Sequence, residues 1–234
     1  MSAGKETEVL LQVRQLSRMY RRKNRQIEVL KDISLTLRKS EILGIVGESG
    51  SGKSTLLRQI ACLERPDRGE IFLKGEKITG RKTREVCNSI QMIFQNAQSS
   101  FDPRKTVGSA VDETLRHMTQ LKKEQIGAHR DELIRQTGLD PQLASRLPSE
   151  LSGGQCQRMA IARALAAQPE ILLCDEITSA LDVSAQAQIV NLLAELRARE
   201  GLSVLFVCHD RILTQCFCDR ILVLDGNSLS SQNN

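Results

Sequence analysis

The sequence predicts an α/β chain on a mixed, mainly parallel sheet, and three observations carry that prediction. The last third alternates apolar strands with helical stretches, the pattern of a parallel sheet covered on both faces. A fully apolar strand, Ile42–Val46, runs at once into a glycine-rich loop and then into Leu56, Leu57 and Ile60 at helical spacing. The middle third changes character to charge-rich helical periodicity, which predicts a helical insertion over about 96–166.

In chain order, Val9, Leu11 and Val13, then Val29, Ile33, Leu35 and Leu37, alternate in the strand manner. The polar stretch 21–26 between them predicts an antiparallel hairpin, the start of a small sheet. Further strands are predicted at 70–73 and 89–94, and helices at 107–118, 122–137 and 155–166. Then follow a strand at Ile171–Asp175, a helix at 184–200, a strand at Ser203–Cys208, a short helix near Arg211–Phe217 and a strand at 220–224. The tail 226–234, rich in Ser and Asn, reads as frayed.

Bulk properties narrow the class. A chain of 234 residues suits one full-size domain, with hydrophobic content of 40% and charged content of 26%, ordinary for a globular protein. No apolar run approaches the ~20 residues of a membrane-spanning helix, and the opening MSAGKETEVL has no secretory pattern, so a cytosolic location is expected. The net charge of +5 is diffuse apart from the cluster RMYRRKNR at 18–25, read as solvated surface. With 3% aromatic residues, base-stacking platforms are scarce and no nucleic-acid partner is expected. Seven cysteines without CxxC spacing indicate reduced thiols, several of them buried, and not a disulfide frame or zinc site.

Residues 47–55 read GESGSGKST and satisfy GxxxxGK[ST]. In Gly47, Glu48, Ser49, Gly50, Ser51 and Gly52, small residues let successive backbone N–H groups turn toward phosphate oxygens at a helix N-terminus that continues through Thr55. Lys53 would reach β- and γ-phosphates and Ser54 would ligate Mg²⁺. The fold class is accordingly a P-loop NTPase, with a small antiparallel β subdomain and a helical subdomain beside the main sheet.

Asp175 and Glu176 end the strand Ile171–Asp175, where one carboxylate can hold Mg²⁺ and its neighbour polarise a water. Alone, such a pair is equally a solvated strand end; with the phosphate loop present, the functional reading dominates. Leu151–Gln155 reads LSGGQ and opens a helix, so Ser152 and the Gly153 and Gly154 amides, with Gln155, form a second anion-binding terminus.

With LSGGQ added to the phosphate loop, the sequence resembles the ATP-binding cassette family from about Leu10 to Gly226. The resemblance implies ATP and Mg²⁺ as cofactors, ATP hydrolysis, and a signature that acts across a head-to-tail dimer. It implies that Gln95 in QMIFQ senses Mg²⁺ and the attacking water. It further implies that Asp182 in SALD contacts the opposite protomer and that His209 after VLFVC contacts the γ-phosphate. A lone histidine after a strand is otherwise more often structural. Tyr20, the only tyrosine, stands where the family stacks an aromatic ring on adenine. The catalytic set is then Lys53, Glu176 and His209, and the metal set Ser54, Gln95 and Asp175. Ile177, where proline is usual, and Cys156 depart from the pattern without removing a catalytic group.

The stretches QMIFQNAQSSFDPRKTV and RLPSELSGGQ resemble the peptide and nickel importer branch. That resemblance implies a second ATPase subunit, non-identical to this one, two membrane permeases, an extracytoplasmic solute-binding protein, and a place on the cytoplasmic face of the cell membrane. A soluble cassette acting on DNA or ribosomes is the competing class. A small kinase or GTPase would leave LSGGQ and SALD unexplained.

Overall fold

The computed structural model describes residues 8–22 and 25–231. Strand β1 (Val9–Arg22) and β2 (Arg25–Arg38) form a long antiparallel ribbon with register shifts between Val9 and Met19. The centre of the predicted 21–26 turn lies outside the described residues. On β1 pairs β4 (Arg68–Leu73), followed by the short β5 (Glu76–Lys77), so the small sheet runs β2-β1-β4-β5.

The main sheet holds β3 (Ile42–Val46), β6 (Ile90–Ile93), β7 (Ile171–Asp175), β8 (Ser203–Cys208), β9 (Arg220–Asp225) and β10 (Ser228–Ser231), in the order β10-β9-β3-β8-β7-β6. All neighbours are parallel except the β10–β9 edge pair. Strands β3, β7 and β8 are buried along their whole length, which is why they read as continuous apolar runs and not as alternation. Alternate residues still serve two cores. Leu43, Ile45, Leu173 and Leu205 pack with Leu56, Leu57 and Ile60 of α1 (Lys53–Ile60) and with the small sheet. Leu172, Cys174, Val204 and Phe206 pack with α5 (Gly153–Leu165), α6 (Val183–Glu200) and the helical insertion.

That insertion contains α3 (Val107–Met118) and α4 (Lys123–Gln136) packed against α5, with two 3₁₀ turns between α4 and α5. A short α2 (Arg84–Ser89), capped by Thr83, precedes β6, and α7 (Arg211–Phe217), capped by Asp210, precedes β9. Two predicted helix starts move to earlier residues because caps fix them. Ser152 caps α5 at Gly153, and Asp182 caps α6 at Val183.

The tail is a correction. Residues 228–231 form β10, paired with β9, and Lys31 N–H donates to the Asn227 carbonyl at 2.8 Å. Leu229 alone reaches the core, so a single apolar residue among serines carries an edge strand that hydropathy could not show. Helix α2 was also unforeseen, being too short for any period to register.

Candidate active site

Four loops leave the carboxyl ends of adjacent parallel strands β3, β8, β7 and β6, the position where open α/β sheets gather ligands. They carry Gly47–Lys53, His209, Glu176 and Gln95 respectively.

The loop after β3 is shaped by its glycines. Gly52 sits at φ 103°, and a Cβ at Gly47 would stand 2.4 Å from the Leu224 carbonyl oxygen. Helix α1 has no side-chain cap, leaving its first N–H groups, at Lys53, Ser54 and Thr55, turned into the loop. Glu48, Ser49 and Gly50 are exposed, whereas Ser51 is buried with no partner for its hydroxyl. Lys53 is 4% exposed, and its Nζ donates to the Gly47 and Glu48 carbonyls at 2.8 Å each. These donors, unspent amides and one cation suit an oxyanion.

Against this loop lies the end of β7. Ser54 Oγ donates to Asp175 Oδ1 at 2.8 Å. Burial raises the Asp175 carboxyl above the ordinary carboxylate range, with the Glu176 charge adding to it, while the Ser54 bond, Arg58 and Lys53 act in the opposite direction. Glu176 takes φ 49°, a conformation that non-glycine residues rarely adopt, and so turns the chain off the strand. Its carboxylate lies 3.4 Å from Lys53 Nζ, accepts from Gln95 Nε2 at 3.3 Å, and stands 3.9 Å from His209 Nδ1. Six predicted residues, Lys53, Ser54, Gln95, Asp175, Glu176 and His209, thus form one contiguous polar cluster.

Other predicted residues lie apart from it. Ser152 Oγ accepts from Gln155 N–H and Gln155 Oε1 accepts from Ser152 N–H, a reciprocal cap. The cap uses only a lone pair of the Ser152 hydroxyl, so its O–H and the Gly153 and Gly154 amides remain as open donors at this helix head. Both glycines face the start of α6, where added Cβ atoms would meet Leu181 at 3.5 Å and Ala185 at 3.4 Å. Asp182 is exposed and caps α6 through Ala185 N–H at 2.8 Å. Among the described residues no hydrogen bond joins Tyr20 to the loop, but its partner across the ribbon is Ile27, two residues from Val29, whose carbonyl borders Gly52.

Sequence reasoning missed two features. Ser179 Oγ accepts from Gln95 Nε2 at 3.1 Å, tying Gln95 to the segment after β7. The buried Cys208 Sγ accepts from Asp210 N–H at 3.3 Å and lies 3.9 Å from Thr178 Oγ1, joining the Glu176 and His209 loops. Ser179 was legible as part of SALD; the thiol carried no signal.

Comparison with known proteins agrees with this geometry. The nickel import ATP-binding protein NikE of Rhodospirillum rubrum is 43% identical over 204 residues, covering 86% of this chain and 74% of that protein. The oligopeptide transport ATP-binding protein OppF of Haemophilus influenzae is 40% identical over 243 residues, covering 98% of this chain and 73% of that protein. Among solved structures, a dimeric ATP-binding cassette in a post-hydrolysis state with ADP and Pi superposes with a TM-score of 0.86 at 30% identity, covering 96% of this chain and 100% of that one. Residues 30–179 match the family described as ABC transporter. With the loop, the strand-end carboxylates and these relatives in agreement, the chain belongs to the ABC transporter family of ATP-binding cassettes.

Proposed function

We propose that this chain is the ATP-hydrolysing subunit of an importer for nickel, a metal chelate or a peptide. In this reading it works with a second, non-identical cassette on two membrane permeases fed by an extracytoplasmic solute-binding protein, at the cytoplasmic face of the cell membrane. The observation that carries the hydrolytic half is the cluster of Lys53, Ser54, Asp175, Glu176, Gln95 and His209. The importer half is supported by relatives whose names include nickel import and oligopeptide transport. Among the described residues no helix is long and apolar enough to cross a membrane, so the permeases supply the pathway.

The reaction is ATP plus water to ADP and phosphate. Residues of the loop, with the α1 amides, cradle the phosphates, and Lys53 exchanges its two carbonyl partners for β- and γ-phosphate oxygens. Ser54 Oγ and Asp175 Oδ1, 2.8 Å apart, with the Gln95 amide nearby, are the hard oxygen donors that suit Mg²⁺. Mg²⁺ held there would supply positive charge against the negative charge that develops on the phosphates. Glu176 orients the attacking water and accepts its proton, held at its station by Gln95 and Lys53. His209, 59% exposed at its side chain, is free to swing onto the γ-phosphate. Ser152, Gly153, Gly154 and Gln155 serve the nucleotide of the opposing cassette, together with Asp182.

Uptake of labelled nickel, nickel chelates and peptides by cells carrying the intact chain or Lys53→Ala tests the reading. Loss of one cargo's uptake in the variant supports it. Unchanged uptake of all three, with the chain recovered on ribosomes or DNA, overturns the importer half.

A further inference from the structure

The one tyrosine is held from two sides. Its hydroxyl donates to Glu64 Oε2, just beyond the end of α1, and the Arg18 guanidinium lies over its ring, 4.8 Å from the centroid. Each holder is itself fixed. Arg58 Nη1 stands 3.6 Å from Glu64 Oε1, and Arg18 Nη1 donates to Asp67 Oδ1 at 3.2 Å and to the Arg65 carbonyl at 3.1 Å. Asp67 also accepts from Met19 N–H at 2.7 Å, so the backbone beside Tyr20 is pinned to the turn that follows α1.

A ring gripped at its tip and on one face has one face left. Ile27, directly across the ribbon from Tyr20 and therefore on the same side of it, is 46% exposed. Two residues further along β2, about 7 Å at strand rise, Val29 and Leu30 border Gly52 of the phosphate loop. The platform and the loop are thus set side by side by one strand.

We propose that Glu64 and Arg18 are positioning residues that hold Tyr20 as a preset face for a purine base. This rests on the reading of Tyr20 as the nucleotide's stacking partner. Glu64 sets the tilt of the ring through its hydroxyl. Arg18 covers the far face and supports the ring's charge distribution from behind. A prearranged ring spares the ordering cost that a free side chain would incur on binding.

The test uses the full chain, with ATP and inorganic tripolyphosphate titrated by calorimetry. Tyr20→Ala is expected to weaken ATP about tenfold and to leave tripolyphosphate unchanged. Tyr20→Phe, Glu64→Ala and Arg18→Lys are each expected to weaken ATP about threefold, again without effect on tripolyphosphate, and Glu64→Gln, which keeps an acceptor, restores most of the loss. Because the chain has 1 Tyr and no Trp, intrinsic fluorescence reports on this ring alone. Its anisotropy in nucleotide-free protein falls in Glu64→Ala and recovers in Glu64→Gln.

If Tyr20→Ala binds ATP normally, the stacking reading itself fails and takes this inference with it. If Tyr20→Ala weakens ATP while Tyr20→Phe, Glu64→Ala and Arg18→Lys bind it like the parent, stacking stands and the positioning roles are wrong. Equal losses for tripolyphosphate would mean a general defect and would also overturn them.

Discussion

Lys53 Nζ lies 3.4 Å from Glu176 Oε1 while donating to two loop carbonyls at 2.8 Å each. The cation proposed to neutralise phosphate and the carboxylate proposed to activate water are therefore held against each other. In the proposed mechanism, exchange of lysine's partners on binding links the two halves of the chemistry.

Lys53→Ala should weaken ATP binding about ten- to a hundredfold, the effect of losing a charge-assisted bond of ~1.5–3 kcal/mol. The variant should fold, since the ammonium only bridges loop carbonyls and one carboxylate. A nucleotide titration with unchanged affinity would contradict the role given to Lys53.

Glu176→Gln keeps the shape of the side chain and an oxygen for Gln95, but removes the base. ATP affinity should stay within about twofold, while turnover falls by ~10²–10⁴, the usual range for general-base loss. Single-turnover hydrolysis with a full complement of bound ATP separates the two effects.

Much of this site was legible because its chemistry requires short, ordered strings. The loop 47–55, the pair Asp175 and Glu176, and His209 each follow an apolar strand, and adjacency in the sheet then brings them together. What stayed hidden depends on contacts that no periodicity encodes. The reciprocal Ser152–Gln155 cap, the Cys208 contacts and the grip on Tyr20 join positions by side-chain reach. The edge strand 228–231 hid for the opposite reason: its backbone pairs, but only Leu229 among its residues packs inward.

Asp175→Asn tests the electrostatics of the strand end. Burial holds the native carboxyl's pKa above its unfolded value, so the folded chain retains that proton to higher pH than the unfolded chain does. The resulting penalty on folding is absent below the unfolded pKa of about 3.9, grows as pH rises through the folded pKa, and is constant above it. Asparagine keeps an acceptor for Ser54 and removes the charge. At neutral pH, without nucleotide, Tm should rise, because the charge that burial penalises is gone. The advantage should shrink as the buffer is taken toward pH 4, and a Tm difference that is flat with pH would refute the assignment. Mg²⁺-dependent hydrolysis should be lost in the same variant.

Gly47→Ala places a methyl group 2.4 Å from the Leu224 carbonyl and 2.9 Å from Ser51 Oγ. One obstacle is backbone of β9, so the strand or the loop must move, at the ~1–3 kcal/mol typical of overpacking. Thermal unfolding should show a lower Tm, and ATP affinity should fall together with it. Gly50→Ala is the control for space alone, since a Cβ there meets nothing within 4 Å, although its φ of 83° still strains alanine. Gly47→Ala should therefore be the more damaging of the two.

Among the described residues, no hydrogen bond or ion pair joins the 152–155 turn to the 47–55 loop, and the amides of Gly153 and Gly154 have no acceptor in their own chain. In the proposed two-cassette arrangement these N–H groups meet the nucleotide held by the opposing cassette. Glu176→Gln, expected to hold ATP while hydrolysing it slowly, should double in mass with its partner cassette when ATP is added, as read by light scattering. Ser152→Ala should weaken that ATP-induced association, because it removes the cap that fixes the two amides, while leaving ATP affinity of the separate chain unchanged. Loss of affinity in the separate chain would mean that 152–155 serves the chain's own nucleotide, and the two-cassette arrangement would have to be given up.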